Sequence, residues 1–151
     1  QHPRCGVCLM HMHGNPQTMQ ITPMAGDVVP QVLSFLELQA HVLIELEVKK
    51  TRIMIDPGIG FGKTVEQNFA LLARQRELLA LGYPLLAGWS RKSSLGVVTG
   101  LEVGERLLPS VVAAVLAAER GASVLRVHDV RATVQALAVW RKTVAADAAI
   151  N

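Results

Sequence analysis

Four segments of the 151-residue chain place polar or charged side chains directly after a short apolar run. The segments are 11–16, 56–64, 88–94 and 126–129, and the last three include the polar and charged residues Asp56, Lys63, Arg91, Lys92, Arg126 and His128. If the apolar runs are parallel strands, these side chains gather at the carboxyl edge of one sheet, where α/β proteins bind ligands. The excess of cations predicts a small anionic ligand, with phosphate as the obvious candidate.

The segment 56–64 reads Asp-Pro-Gly-Ile-Gly-Phe-Gly-Lys-Thr and differs from the phosphate-binding P-loop pattern at one required position. Counting back from Gly62, the first glycine of that loop would fall on Pro57. The alternating glycines also miss the dinucleotide-binding spacing. A plain turn between strand and helix is the alternative, although three alternating glycines also allow close approach of the backbone to a ligand.

The next two segments add cations and a histidine. Ser90 could cap the following helix, which would put Arg91 and Lys92 in its first turn, where cations are unfavourable unless an anion compensates. A solvated basic turn is the alternative. Arg126 and His128 share one face of a strand. At the end of a barrel strand they are costly unless they bind something, so we favour ligand contact over a satisfied core histidine.

Cys5 and Cys8 form a CxxC pattern near His11 and His13, which raises the alternative of a metal or redox site. On a strand, however, positions 5 and 8 point to opposite faces, and a second cysteine pair is lacking. We expect small buried cysteines. Only two cysteines occur in the chain, so a reducing, cytoplasmic location is the default expectation.

The composition limits the class of protein. Half of the residues are apolar and 18% are charged, which excludes a disordered chain. The net charge is +3, and basic and acidic residues are interspersed along the chain without a basic run. We therefore expect no nucleic-acid partner. The longest apolar run, 111–118, is too short to cross a bilayer, so we expect no membrane partner. The chain begins at Gln1 with no signal-peptide pattern, and we expect it to start within a longer protein.

Strands and helices alternate in the predicted order. Buried strands are expected at 6–10, 52–55, 83–88 and 122–127. One helix should begin at Asp27 and run to about Glu47, and a second should end at Gly82. A third covers 110–120, and the last carries Val134, Leu137 and Ala138. This order predicts a parallel sheet with helical crossovers, and either half of a (β/α)8 barrel or a small doubly wound sheet would fit.

Together, these segments resemble the dihydropteroate synthase family. The matching stretches are 9–20, 56–63, 90–93 and 126–130, with Glu105-Arg106-Leu107 between the last two. The resemblance spans nearly all of the chain. It implies an α/β fold of the TIM-type (β/α)8 barrel family, with residues 1–151 supplying the C-terminal half, strands 5 to 8, and with the N-terminal half absent. Glu47, where a glycine is usual, Pro109 and Ala25 depart from the family pattern.

The resemblance implies a transferase of folate biosynthesis, the target of sulfonamides. Such an enzyme joins 4-aminobenzoate to a dihydropterin carrying a 6-methyl diphosphate and releases diphosphate. Asp56 would bind the amino-pyrimidine edge of the pterin, and Lys92 its carbonyl side. Arg126 would stack on the ring and, with His128, hold the departing diphosphate. Lys92, Arg126 and His128 would be the catalytic residues. The other implied substrate contacts are Met10, Gly60, Phe61, Gly88, Ser90 and Arg91, with Phe61 and Ser90 near the aminobenzoate.

The resemblance also implies Mg²⁺, whose main ligand loop belongs to the half that is not present, and a homo-oligomer, a dimer in the full-length family. We expect the isolated chain to be catalytically inactive. Two alternatives remain open: a pterin-binding methyltransferase domain, and a non-catalytic half-barrel that associates with itself. Dependence on the diphosphate ester would separate the methyltransferase from the synthase.

Overall fold

The computed structural model describes residues 5–15, 17, 19, 21 and 23–148. The four expected strands are present: β1 (Val7–Met10), β2 (Ile53–Asp56), β3 (Leu86–Ala87) and β4 (Val124–Leu125). The strands β1 and β2 pair in parallel, as do β3 and β4, and a parallel bridge between Ile55 and Leu85 joins the two pairs. The predicted parallel order is thus confirmed, although β3 and β4 are shorter than the apolar runs suggested.

Five α-helices connect or follow the strands: α1 (Val28–Glu45), α2 (Val65–Ala73), α3 (Ser93–Thr99), α4 (Leu107–Glu119) and α5 (Val130–Ala148). Short 3₁₀ segments occupy Lys50–Arg52, Gln75–Leu81 and Val103–Glu105. None of the helices among the described residues is long and apolar enough to cross a membrane. In the order of the elements, the crossover between β3 and β4 contains two helices, α3 and α4.

The helix α1 begins where the sequence predicts. The carboxylate of Asp27 accepts the main-chain N–H of Val29 at 3.1 Å, which satisfies one of the donors that a helix start leaves unpaired. The helix ends at Glu45, two residues before the predicted end. Glu47 then has a φ of +63°, a left-handed conformation that glycine adopts more easily, in agreement with the glycine that the family resemblance leads us to expect there.

The second predicted helix is α-helical only in its first half. Thr64 and Gln67 form a capping box at the start of α2, but the α-helix ends at Ala73 and tightens into a 3₁₀ segment before Gly82. In that segment the buried Gln75 donates its amide to the carbonyl of Ala117 at 2.9 Å. This carbonyl, in the last turn of α4, also accepts the main-chain N–H of Ala122, so Gln75 adds a second donor to it. Helical periodicity does not reveal this contact.

The apolar core lies between the sheet and the helices. The sheet contributes Ile53, Ile55, Leu85 and Ala87, and the helices contribute, among others, Val29, Val32, Leu36, Leu71, Ala113 and Ala117. The opposite face of the sheet carries Cys8 beside Met54, and Met10 beside Asp56. Asp56, which is buried at the end of β2, is thus aligned with an exposed residue of its partner strand.

The prediction that both cysteines are buried is wrong. Cys5 and Cys8 are free thiols and both are exposed. Cys5 precedes β1, and Cys8 lies on the sheet face that α1 does not cover, so the alternation of side chains along the strand explains its exposure. Within the described residues, no group of three His, Cys, Asp or Glu side chains is placed to hold a metal ion.

A glycine joins the end of β1 to the turn after β2. Gly58 has a φ of +68°, and a Cβ atom at this position would lie 1.8 Å from the carbonyl oxygen of His11. The main-chain N–H of His11 in turn donates to the carbonyl of Asp56 at 3.0 Å. Both the conformation and the close backbone contact therefore require glycine at position 58.

We predict that Gly58→Ala lowers the free energy of unfolding by about 3 kcal/mol, since it combines left-handed strain with overpacking against backbone. Gly100→Ala is the matched control, because Gly100 has a φ of +72° and a Cβ atom added there would meet nothing within 4 Å. It should lose only about 1 kcal/mol. Urea unfolding measures both, and equal losses would contradict the contact with His11.

A buried histidine lies at the end of β1. His11 is 5% exposed, its ring meets Phe35 edge-on at 4.9 Å between centroids, and its Nδ1 has no hydrogen-bond partner among the described residues. Burial, assisted by the charge of Lys63, lowers the pKa of His11 to about 4. The folded protein therefore keeps this ring neutral at pH values where the unfolded chain is protonated.

We predict that acid destabilises the fold through His11. Because the folded pKa lies below the unfolded value of about 6.5, the unfolded state binds the extra proton, and stability falls between pH 6.5 and pH 4 by about 2–3 kcal/mol. His11→Gln should remove this part of the pH dependence of unfolding. His41→Gln, at an exposed position on α1, is the control and should leave the dependence unchanged.

Candidate active site

Asp56 ends β2 as a carboxylate that is only 4% exposed. One of its oxygens accepts the N–H of Gly58 at 2.7 Å. Burial raises the pKa of Asp56, while this hydrogen bond and the charges of Arg126, Lys92 and Lys63 act in the opposite direction. Cations from three different corners of the sheet edge thus converge on one carboxylate, as the sequence predicts.

Lys63 belongs to this group by charge but points into its own loop. It is 5% exposed, and its ammonium donates to the carbonyls of Gly58 at 2.8 Å and Phe61 at 3.1 Å. Burial lowers its pKa to about 8, against the opposing effect of Asp56. Lys63 therefore stabilises the glycine-rich turn through hydrogen bonds to its main-chain carbonyls.

Lys92 crosses from the β3 corner to the glycine-rich turn after β2. Its ammonium lies 4.3 Å from the centre of the Phe61 ring, a cation–π contact. A Cβ atom at Gly60 would lie 3.3 Å from the Lys92 side chain, so the absent side chain of Gly60 leaves room for it. Burial lowers the pKa of Lys92, Arg126 lowers it further, and Asp56 raises it.

Arg126 follows β4 and passes over the end of β3. Its main-chain N–H donates to the carbonyl of Ala87 at 3.0 Å. Its guanidinium lies so close to Gly88 that a Cβ atom there would be 2.6 Å from Nη2. The two glycines at positions 60 and 88 therefore accommodate the two cations that face Asp56.

The prediction that Ser90 caps the next helix is wrong. The cap of α3 is Lys92, so Arg91 and Lys92 precede the helix and do not form its first turn. The Ser90 hydroxyl instead lies 2.9 Å from Nδ1 of His128 and accepts the main-chain N–H of His128 at 3.2 Å. The turn at 89–92, closed by a hydrogen bond from Lys92 N–H to the carbonyl of Trp89, carries Ser90 away from the helix start.

Arg91 forms an ion pair with Asp129 at 3.0 Å. Its φ is +57°, and its main-chain N–H donates to the hydroxyl of Ser110 at 2.9 Å. The guanidinium of Arg106 donates to the carbonyl of Arg91 at 3.3 Å. The structure thus turns the side chain of this expected substrate contact toward a carboxylate of the neighbouring corner.

Asn68 is a site-supporting residue that the sequence patterns did not predict. It is 1% exposed, its oxygen accepts the N–H of Gly60 at 2.8 Å, and its amide donates to the hydroxyl of Ser94 at 3.0 Å. The signal that could have found it is a polar residue among the helically spaced apolar positions Phe69 and Leu72. Asn68 links the glycine-rich turn to the helix that follows Lys92.

Met10 is the register partner of Asp56 and is 36% exposed, so it borders the carboxylate on the face opposite the core. Residues 16, 18 and 20 of the segment 9–20 lie outside the described residues. The geometry brings together Met10, Asp56, Gly60, Phe61, Gly88, Lys92 and Arg126, with Ser90 and His128 paired beside them. A carboxylate that accepts N–H groups, flanked by cations, suits a flat polar ring that carries an anionic substituent.

Comparison with known proteins agrees with this geometry. Residues 1–128 match the family described as "Pterin binding enzyme". The chain is 44% identical over 137 residues to dihydropteroate synthase of Haemophilus influenzae, which covers 91% of the chain and 50% of the relative. It is 48% identical over 139 residues to that of Neisseria meningitidis serogroup B, with 89% and 49% covered. The chain spans about half the length of the curated relatives it matches.

Solved structures give the same result. The Yersinia pestis dihydropteroate synthase in complex with a sulfonamide drug superposes with a TM-score of 0.91 at 39% identity, covering 93% of this chain and 52% of that one. The Burkholderia cenocepacia enzyme complexed with 7,8-dihydropteroate gives 0.86 at 49% identity, with 94% and 54% covered. The expected TIM-type barrel fold, of which the described residues form four βα units, is confirmed. Together with the family match over 128 of 151 residues, these likenesses show that the chain belongs to the pterin-binding enzymes.

Proposed function

We propose that this chain supplies half of the pterin pocket and much of the aminobenzoate side of a dihydropteroate synthase, together with groups that hold the diphosphate. The observation that carries the proposal is the buried Asp56 carboxylate with Lys92 and Arg126 facing it. Relatives support the substrate class, since the Burkholderia structure holds 7,8-dihydropteroate and a structure from Xanthomonas albilineans, 47% identical, holds 4-aminobenzoic acid. The sulfonamide bound to the Yersinia enzyme supports the same class of inhibitor.

We propose the substrate contacts that the family resemblance implies, and the positions of the side chains support them. Asp56 accepts two N–H groups of the amino-pyrimidine edge, and Lys92 donates to the carbonyl side of the ring. Met10 lines the ring, while Gly60 and Gly88 leave room beside it. Phe61 and Ser90 lie toward the aminobenzoate, although the Ser90 hydroxyl already contacts His128.

The reaction breaks the C–O bond between the pterin methylene carbon and the diphosphate, and the electron pair leaves with the diphosphate. The resulting cation is stabilised by resonance with the pterin ring. The lone pair of the aniline nitrogen then forms the new C–N bond, and that nitrogen loses a proton. Arg126 and His128 hold the departing diphosphate by charge and by hydrogen bonds. The ammonium of Lys92, besides donating to the ring carbonyl, adds positive charge next to Arg126. Such preorganised groups act most strongly where negative charge develops in the transition state.

No group of three His, Cys, Asp or Glu side chains within the described residues is placed to hold a metal ion. The Mg²⁺ that the family resemblance implies stays a prediction. No step is therefore assigned to the metal. Self-association, a cytoplasmic location and inactivity of the isolated chain stay predictions.

We predict saturable binding of the dihydropterin diphosphate to the chain, measured by calorimetry. Arg126→Ala should weaken it at least tenfold, because one charge-assisted hydrogen-bonding group is lost. Arg141→Ala, at an exposed position on α5, is the matched control and should bind as the unsubstituted chain does. An unchanged affinity for Arg126→Ala would contradict the assignment of Arg126 to the diphosphate. Equal affinity for the ester and for the pterin without diphosphate would favour the methyltransferase alternative.

A second prediction separates the two halves of the ligand. Asp56→Asn should weaken binding of the pterin without diphosphate about tenfold, because the amide accepts at one atom only. The same variant should bind inorganic diphosphate more tightly, since it removes a negative charge that partly neutralises Lys92 and Arg126. Parallel titrations measure both ligands. If both affinities fell together, the assignment of Asp56 to the pterin ring would be wrong.

A further inference from the structure

Two consecutive residues at the β3–α3 corner contact two consecutive residues at the β4–α5 corner. Ser90 contacts His128 through its hydroxyl, and Arg91 forms its ion pair with Asp129. We call these four residues the corner latch. The latch adjoins the two cations proposed to bind the diphosphate. Lys92 directly follows Arg91, and Arg126 lies two residues before His128.

The Ser90 hydroxyl determines which nitrogen of His128 can meet a ligand. Its oxygen accepts the main-chain N–H of His128 at 3.2 Å and lies 2.9 Å from Nδ1, so its proton can be donated to Nδ1. A neutral His128 then carries its ring hydrogen on Nε2, the nitrogen that remains to donate to an anion. A protonated ring also fits, because the hydroxyl oxygen can accept from both N–H groups.

Arg91 forms the other side of the latch in a conformation that needs support. The left-handed region is unfavourable for a residue with a long side chain. Three partners hold Arg91 there: the hydroxyl of Ser110 at its N–H, the guanidinium of Arg106 at its carbonyl, and both carboxylate oxygens of Asp129 at its guanidinium. Such supported strain is typical of functional sites. Here it directs the next residue, Lys92, across the glycine-rich turn.

We propose that Ser90 and Arg91 are positioning residues, which hold the His128 ring and the Lys92 ammonium toward one shared anionic group of the ligand. The inference rests on the proposed function, in which the shared group is the departing diphosphate. Ser90 and Arg91 therefore act through His128 and Lys92, whereas the family resemblance implies that they contact the substrate themselves.

Two double-mutant cycles test the inference on the full chain, with inorganic diphosphate as the probe in a calorimeter. Ser90→Ala should weaken diphosphate binding about tenfold, but less than about twofold when His128 is already replaced by alanine. Arg91→Asn should weaken binding several-fold, with little further loss in an Asp129→Asn background. Asparagine tolerates the left-handed conformation, so Arg91→Asn separates loss of the ion pair from backbone strain.

Conservative variants complete the design. Ser90→Thr keeps the hydroxyl and should restore most of the affinity that Ser90→Ala loses. Ser123→Ala replaces an exposed serine just before β4 and should bind diphosphate as the unsubstituted chain does. Equal losses in both backgrounds would show that Ser90 or Arg91 contacts the ligand directly. That result would overturn the inference and leave the proposed function intact.

A second measurement does not depend on ligand binding. The ¹⁵N shifts of the His128 ring should report the Nε2–H form in the unsubstituted chain and a mixture of both neutral forms in Ser90→Ala. His128→Gln identifies the signals. Unchanged ring shifts in Ser90→Ala would overturn the positioning role of Ser90. If the unsubstituted chain bound no diphosphate, the proposed function would fail, and the ring shifts would still decide the positioning of His128.

Discussion

A buried carboxylate costs free energy unless hydrogen bonds and opposite charges replace its lost hydration, and the candidate site is arranged around this requirement. Asp56 receives one hydrogen bond from the backbone of its own turn and feels cations from three corners of the sheet edge. Close approach of these groups is possible because glycine occupies positions 60 and 88. In the proposed function, a pterin ring would therefore meet a carboxylate that accepts N–H groups, with cations beside it that attract an anion.

The cations at the edge fall into two kinds that the sequence alone does not distinguish. The ammonium of Lys63 donates to carbonyls of the glycine-rich turn, and Asn68 on α2 accepts an N–H group of the same turn. Lys92 and Arg126 instead lie over glycines and face the carboxylate. The first kind gives the turn its shape and the second gives the site its charge. A basic composition at a strand edge thus overstates the number of groups that a ligand can meet.

The parts of the structure that local patterns control could be predicted from the sequence. Strand positions, the cap at Asp27 and the gathering of Asp56, Lys92 and Arg126 follow from apolar periodicity and from the parallel topology. What could not be predicted depends on pairs far apart in the chain, such as Ser90 with His128 and Gln75 with the end of α4. The exposure of Cys8 belongs to the same class, because it depends on which sheet face the helices cover.

The parallel topology has a consequence for folding kinetics. Every paired strand finds its neighbour tens of residues away, across a complete helical crossover. Closing such loops costs entropy before any pairing returns stability, so a chain with this contact order folds more slowly than a helical bundle of equal size. Asp56, Lys92 and Arg126 lie at the carboxyl ends of three successive strands, β2, β3 and β4. Their convergence consequently reports completion of the sheet, and ligand affinity during refolding would rise only after the last strand has docked.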